Sequence, residues 1–184
     1  MFDTILKKLM RPRLAAFERA YDYDMTYAHD ILDVSPAALL KFNRLIGMAR
    51  HREEVPLDAW YAAKLAATMA EDCGPCTQLV ATMAEREGVA PAVLRGILER
   101  DVAALPPEAA LGLRYAQAVL AHDLQAQELQ REVVQRWGRK ALVSLALAVT
   151  SARMFPTLKY ALGHGHSCVR VRVGGVEMPV QAAA

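Results

Sequence analysis

Apolar residues recur at spacings of three and four over most of the chain, which is the period of amphipathic helices. The clearest segment opens at Pro56-Leu57-Asp58 and extends to about Asp72. Along it, alanines form one stripe at positions 59, 62, 63, 66, 67 and 70. Small side chains on one stripe allow two helices to approach closely. The pattern therefore predicts an all-α fold with short connections between helices.

Proline, serine and glycine set the expected helix boundaries. Ser35-Pro36 combines an N-cap with a first-turn proline, Pro12 is read as restarting a helix, and Gly88 and Gly138 are typical stops. Helices are predicted over residues 2–10, 12 onward, 24–31, 36–50, 56–72, 75–87, 91–101, 107–122, 126–137, 141–155 and 156–162. The segment 36–50 is expected to have a mostly buried face formed by Leu39, Leu40, Phe42, Ile46 and Met48. The segment 141–155 is apolar almost all round and is expected to be the buried central helix.

The last segment changes to an alternating pattern. Valines alternate with arginines from Val169 to Val173, and Gly174-Gly175 is a two-residue hairpin turn. The returning strand, 176–180, would place Glu177 opposite Arg172. A lone hairpin is marginal in water, so it must pack on this domain or on a neighbouring subunit. We expect one domain over 1–184, with a helical extension (1–55), a helical core (56–163) and a β-hairpin tail (168–180).

The composition agrees with a folded helical protein. Of the 184 residues, 54% are hydrophobic and 23% are charged, and the mean hydropathy is +0.11, which excludes intrinsic disorder. The net charge of +2 gives no sign of a nucleic-acid partner. Basic residues cluster near the N-terminus, and we interpret them as a solvated helix face: Lys7, Lys8, Arg11 and Arg13.

The sequence predicts a cytoplasmic protein without a membrane partner. The most apolar run, residues 141–150, has about half of the ~20 residues that a spanning helix needs. The N-terminus lacks the long apolar region and cleavage site of a signal peptide. Three cysteines, an odd number, also argue against a secreted disulfide framework.

The most informative residues are Cys73 and Cys76, which form the motif Cys-Gly-Pro-Cys at the start of a predicted helix. This spacing places two sulfur atoms within reach of each other. The partial positive charge of a helix N-terminus stabilises a thiolate, so one thiol can act as nucleophile and the other can resolve it. A thioredoxin fold is not expected, because that motif follows a β-strand there and an alanine-rich helix here.

The sequence around the pair reads LAATMAEDCGPCTQLVATMAEREGV. It resembles the alkylhydroperoxidase D-like, or carboxymuconolactone decarboxylase, family, most strongly over residues 60–89 and more weakly over 142–162. The resemblance implies an all-α fold that assembles as a homo-oligomer, commonly a trimer or hexamer. It also implies that Cys76 attacks a hydroperoxide and Cys73 resolves the sulfenic acid to a disulfide, without a metal or organic cofactor. The decarboxylase branch lacks the cysteine pair, so that reaction is not favoured.

The proton relay of the family is not present in its usual form. The family pattern has a glutamate twelve residues before the first cysteine and a histidine four after the second; Tyr61 and Val80 stand there in this chain. Tyr61 is interpreted as a core residue. The nearest substitutes are Glu71 and Asp72, which would serve as proton acceptors because an anion beside a thiol raises its pKa. Both could equally be ordinary solvated or ion-paired carboxylates.

Other polar residues have weaker claims. His164, His166 and Cys168 alternate and could bind zinc or copper, although a polar loop before the hairpin is the preferred interpretation. Three isolated histidines are each a possible replacement for the relay histidine: His29, His51 and His122. The Tyr/Asp cluster 21–24, with Tyr27, is interpreted as an inter-helix junction or subunit contact, and the rim of a substrate pocket is the less favoured alternative.

The leading hypothesis is a cysteine-dependent peroxidase that reduces a small hydroperoxide and is reduced by a protein or small dithiol. A thiol–disulfide oxidoreductase that acts on a partner protein is the first alternative. A non-enzymatic metal-binding or assembly protein that uses His164, His166 and Cys168 is the second.

Overall fold

The computed structural model describes residues 2–165 and 170–179, and their architecture is helical with a two-stranded C-terminal hairpin, as predicted. The helices are α1 (Phe2–Tyr21), α2 (Thr26–Val34), α3 (Pro36–Asn43), α4 (Leu45–Ala49), α5 (Leu57–Ala70), α6 (Gly74–Glu87), α7 (Pro91–Glu99), α8 (Pro107–Leu120) and α9 (Ala126–Ala161). A single 3₁₀ turn, Val102–Ala104, joins α7 to α8.

The buried central helix is α5, and not residues 141–155 as the sequence predicted. Every residue of α5 from Ala59 to Met69 is buried, and the helix packs between α8 and α9. On α9, by contrast, Ala141, Leu145 and Ala148 are buried but Val143 is 53% exposed. The prediction was wrong because an apolar composition does not reveal how much of a helix the fold covers. The small alanine side chains of α5 allow neighbouring helices to pack closely against it.

Two prolines that were expected to start helices lie inside them. Pro12 is within α1 and Pro156 is within α9. In each case a buried stripe continues through the proline: Leu6, Met10 and Leu14 on α1, and Ala152, Pro156 and Lys159 on α9. Packing of these stripes therefore outweighs the hydrogen bond that each proline removes.

The expected stop at Gly138 is confirmed as a break inside α9. Gly138 has φ 87° and ψ 174°, which are not helical values. The segment 36–50 is also interrupted, at Arg44, between α3 and α4. Its predicted buried face is confirmed only at Leu39, since Leu40 and Ile46 are 38% and 36% exposed.

Within the described part of the chain, α9 is long and apolar enough to cross a membrane by length and composition alone. Its most apolar window is 44% buried inside the protein, and core helices of water-soluble proteins pass the same test. This helix is therefore weak evidence for a membrane span.

The hairpin consists of β1 (Arg170–Val173) and β2 (Val176–Pro179), with Arg172 paired to Glu177 as predicted. It packs on this domain, against α6 and α7, and buries Val171, Val173 and Met178. The Gln78 side chain on α6 accepts from the Arg172 N–H at 2.7 Å and donates to the Arg172 carbonyl at 3.0 Å. The hairpin is thereby bound to the helix that carries Cys76.

Two hydrophobic clusters make up the interior. The larger is formed by α5 to α9 and the hairpin, and the smaller by α1, α2 and α3. Leu79 and Leu158, from α6 and α9, pack against the smaller cluster and join it to the helical core. The N-terminal end of α6 lies at this junction, and the cysteine pair is there.

Candidate functional site

Cys73 and Cys76 form a disulfide at the N-terminus of α6. Cys73 is the N-cap residue, and its carbonyl accepts from the Thr77 N–H at 2.9 Å and from the Thr77 hydroxyl at 3.1 Å. Cys76 lies in the first turn. The two residues are only 1% and 4% exposed. The sequence prediction of two sulfur atoms in bonding range at a helix start is therefore confirmed.

A tight turn separates α5 from α6 and fixes the position of the pair. Asp72 has φ 49°, a left-handed conformation that ends α5. The Tyr160 hydroxyl of α9 donates to the Asp72 carbonyl at 2.9 Å. Asp72 and Cys76 consequently lie on different sides of a helix break and do not share one helix face.

A tyrosine of the N-terminal extension lies against the cysteine pair. The Tyr23 hydroxyl is 3.8 Å from Cys76 Sγ, and it is the donor because a disulfide sulfur carries no proton. Tyr23 is 6% exposed and belongs to the smaller hydrophobic cluster. The Tyr/Asp cluster was interpreted as an inter-helix junction, and Tyr23 does lie at one, but the sulfur contact was not predicted.

Lys159 of α9 lies behind Tyr23. Its Nζ donates to the Tyr23 hydroxyl at 3.5 Å and is 4.9 Å and 5.5 Å from the ring centres of Tyr23 and Tyr27. The residue is 1% exposed. A cation over aromatic faces is attracted by their negative π density, which partly replaces the water that burial removes.

Burial shifts the proton affinities of this group. It raises the pKa of Tyr23, and it raises the pKa of Tyr27 to about 12. It lowers the pKa of the Lys159 amine, an effect that the negative charge of Asp24 opposes. Hydrogen bonding from the Thr26 hydroxyl and the nearby Lys159 charge hold the pKa of Asp24 below its ordinary value. Tyr23 is thus a neutral phenol at ordinary pH, beside an amine whose proton is loosely held.

The two carboxylates predicted as proton acceptors are Glu71 and Asp72, and the structure shows their contacts. Glu71 pairs with Arg153 of α9 and accepts from the Thr157 hydroxyl at 3.1 Å. It therefore ties the end of α5 to α9. The Asp72 side chain is exposed, and its backbone carbonyl makes the contact with Tyr160. Of the two interpretations left open by the sequence, the structure favours the ion-paired and solvated one.

Tyr61 and Val80, which stand at the relay positions of the family, are buried core residues. Tyr61 is 1% exposed, and its ring packs edge-on against Trp60 at a centre distance of 5.0 Å. Burial, followed by the hydrogen bond with Glu87 and by the negative charge of that carboxylate, raises the pKa of Tyr61. The interpretation of Tyr61 as a core residue is confirmed.

The predicted metal-binding segment lies only partly within the described residues. His164 Nε2 is 2.9 Å from the Asp30 carboxylate, and the positions of His166 and Cys168 lie outside the described ranges. Among residues 2–165 and 170–179, no group of three or more His, Cys, Asp or Glu residues could hold a metal ion.

The three isolated histidines contact other groups. His29 lies 3.4 Å from Glu18, His122 borders an open apolar groove between α8 and α9, and the His51 carbonyl accepts from the Trp60 indole. Among the described residues, it is the Tyr23 hydroxyl, and not one of these histidines, that is recorded against Cys76 Sγ.

Sequence reasoning missed Tyr23 and Lys159 because they are 53 and 83 positions from Cys76. One signal was present in the spacing. Lys159 lies on the same helix face as the buried residues Ala152 and Pro156, so a helix that continues through Pro156 buries its side chain as well.

Comparisons of this chain with protein-family models, with curated proteins and with solved structures found no match. Its relationship to the alkylhydroperoxidase D-like family therefore stays a prediction that rests on the sequence around the cysteine pair.

Proposed function

We propose that this chain is a thiol peroxidase that reduces a small hydroperoxide with the Cys73–Cys76 pair. The observation that carries the proposal is a buried disulfide at a helix N-terminus with a tyrosine hydroxyl against one of its sulfur atoms. Two thiols in this setting can give up two electrons and store the oxidised state within one turn of chain.

The chemistry follows from the position of the pair. The first N–H groups of α6 stabilise a thiolate, which is the reactive form of cysteine. The Cys76 thiolate attacks one peroxide oxygen, the O–O bond breaks, and a sulfenic acid and an alcohol form. The Cys73 thiol then displaces the sulfenic hydroxyl as water, and the disulfide forms. A dithiol reductant restores both thiols.

The contact with Tyr23 supports Cys76 as the attacking thiol. A phenol can donate to a thiolate, or to the alkoxide oxygen that departs when the O–O bond of the peroxide breaks. Cys73, the N-cap residue, is within one turn and needs only to reach Cys76. These are the roles that the family resemblance implies.

Thiol–disulfide exchange with a partner protein is the second candidate. The same disulfide supports it, because exchange also uses a helix-terminal pair. Burial is less favourable to it: with Cys73 and Cys76 at 1% and 4% exposure, a large partner has no direct approach to either sulfur. A small hydroperoxide has a lower steric requirement, so burial favours the peroxidase.

The experiment compares two oxidants on fully reduced protein. We expect one equivalent of a small organic hydroperoxide to remove two thiols and to yield one equivalent of alcohol, while an oxidised protein disulfide reacts far more slowly. Cys73→Ser and Cys76→Ser should each abolish disulfide formation. If folded, reduced protein is not oxidised by hydroperoxide but is oxidised by the protein disulfide, the result contradicts the peroxidase and supports thiol–disulfide exchange.

A further inference from the structure

We propose that Lys159, acting through the hydroxyl of Tyr23, is the proton relay of Cys76. The inference rests on the proposed function, since a relay has a purpose only if Cys76 is a working thiol. It assigns to the N-terminal extension and to α9 a role that the family resemblance would place at positions 61 and 80.

Side chains from three distant segments of the chain meet in one series of contacts. The chain of contacts runs from Lys159 Nζ to the Tyr23 oxygen at 3.5 Å and from that oxygen to Cys76 Sγ at 3.8 Å. The three side chains come from α9, from the α1–α2 connection and from α6. Lys159, Tyr23 and Cys76 are 1%, 6% and 4% exposed, so water has little access to them.

Burial of the Lys159 amine has a cost in free energy, because it removes the water that stabilises the charged form. A buried amine that lacks a carboxylate on its nitrogen has its charged form destabilised. The groups facing Lys159 are the phenols of Tyr23 and Tyr27 and the more distant carboxylate of Asp24, which His164 also influences. The negative charge of Asp24 stabilises the ammonium form of Lys159, whereas burial lowers the pKa of the amine and so favours release of its proton.

The relay balances over one cycle. In the resting dithiol, the Cys76 thiol passes its proton through Tyr23 to Lys159, which gives a thiolate and an ammonium. When the thiolate attacks the hydroperoxide, the departing alkoxide takes the Tyr23 proton, and Lys159 replaces it. The products are a sulfenic acid, an alcohol and a neutral amine. Reduction of the later disulfide returns a thiol at Cys76, ready to protonate Lys159 again.

The test measures the thiol itself, without peroxide. In a Cys73→Ser, Cys168→Ser background only Cys76 remains, and its ultraviolet thiolate absorbance is followed against pH. We expect Tyr23→Phe, which keeps the ring and removes the hydroxyl, to raise the Cys76 pKa by about one unit or more, a tenfold loss of thiolate below the pKa. Lys159→Met should shift it in the same direction.

Tyr160→Phe is the matched control. It removes a hydroxyl that donates to the Asp72 carbonyl beside the pair and not to either sulfur, so the Cys76 pKa should stay unchanged. Circular dichroism and thermal unfolding identify any variant that fails to fold. Lys159→Met removes the far end of the relay and Tyr23→Phe removes its middle group, so either folded variant is sufficient for the test.

A folded Tyr23→Phe or Lys159→Met protein with an unchanged Cys76 pKa would overturn the relay. Its failure is separable from failure of the peroxidase. If the pKa shifts as expected and hydroperoxide still does not oxidise the protein, the relay stands and the proposed function falls.

Discussion

A second buried lysine shows at the residue scale how a charge can be tolerated in a helical core. Lys64 of α5 is 7% exposed, its Nζ lies 3.9 Å from the centre of the Trp60 ring, and it donates to the Ala49 carbonyl at 3.0 Å. Burial lowers its pKa from the ordinary 10.5 to about 8, although the negative charge of Glu87 opposes the shift. The loss of hydration therefore destabilises the charged amine more than its contacts with the Trp60 ring and the Ala49 carbonyl stabilise it.

This shift predicts a pH dependence of stability. Because the folded-state pKa lies below the unfolded-state pKa, the unfolded chain binds more protons between the two values, and stability rises with pH there. From pH 8, the lowered pKa, to about pH 10, we expect the free energy of unfolding of the native protein to rise by about 2 kcal/mol relative to Lys64→Met. Urea titrations at several pH values measure it.

The comparison with Lys64→Met removes the contributions of other groups, and it ends near pH 10 because the Lys64 amine of the unfolded chain, with its ordinary pKa of 10.5, also loses its proton above that range. Parallel curves for the two proteins over this range would show that Lys64 does not titrate as described.

At this scale the sequence was sufficient for the cysteines and insufficient for their surroundings. The spacing of Cys73 and Cys76 specifies a local geometry, so their pairing and the start of α6 could be predicted. The contacts of Tyr23 and Lys159 depend on how three distant segments meet. The local neighbours Glu71 and Asp72 were predicted instead because sequence proximity was the only guide available.

At the scale of helices, α5 and α8 approach so closely that a side chain would not fit between them. A Cβ built on Gly112 of α8 would lie 2.3 Å from the Ala59 carbonyl oxygen and 2.7 Å from its Cα, both backbone atoms that cannot move aside cheaply. Backbone contact of this kind is what the alanine stripe of α5 makes possible. Tight packing here holds α5, and with it the cysteine turn, in place.

We therefore expect Gly112→Ala to destabilise the protein by about 1–3 kcal/mol, because the helices must separate to admit one methyl group. Chemical denaturation followed by circular dichroism measures the change. Gly47→Ala on α4 is the control: nothing lies within 4 Å of the added Cβ, so the higher helix propensity of alanine should leave stability equal or slightly higher. Equal effects of the two substitutions would contradict the close approach.

Helix boundaries were predictable where a local device sets them. Ser35 accepts from the Ala38 N–H at 3.3 Å, and Gly88 adopts φ 101°, as their types suggested. Boundaries that depend on packing were not predictable. Pro12 and Pro156 would end isolated helices, yet buried stripes continue through both.

At the scale of the whole molecule, the N-terminal extension is part of the candidate site. Residues 1–55 lie outside the segments that resemble the family, and they supply Tyr23, which contacts Cys76, and Tyr27, which lies near Lys159. The fold class and the hairpin register followed from periodicity, which is a property of single elements. Assembly into a trimer or hexamer stays a prediction. A subunit interface would cover apolar side chains that are exposed in the single chain, among them Val34, Leu124 and Val143.

The central claim is that Cys76 reacts first with hydroperoxide and that Cys73 resolves the product. The most direct measurement is mass spectrometry of reduced Cys73→Ser and Cys76→Ser proteins, each treated with one equivalent of organic hydroperoxide in the presence of a sulfenic-acid trap. The account predicts a trapped adduct at Cys76 in Cys73→Ser and far less at Cys73 in Cys76→Ser. An adduct at Cys73 alone would reverse the roles, and no adduct in either folded variant would contradict the peroxidase.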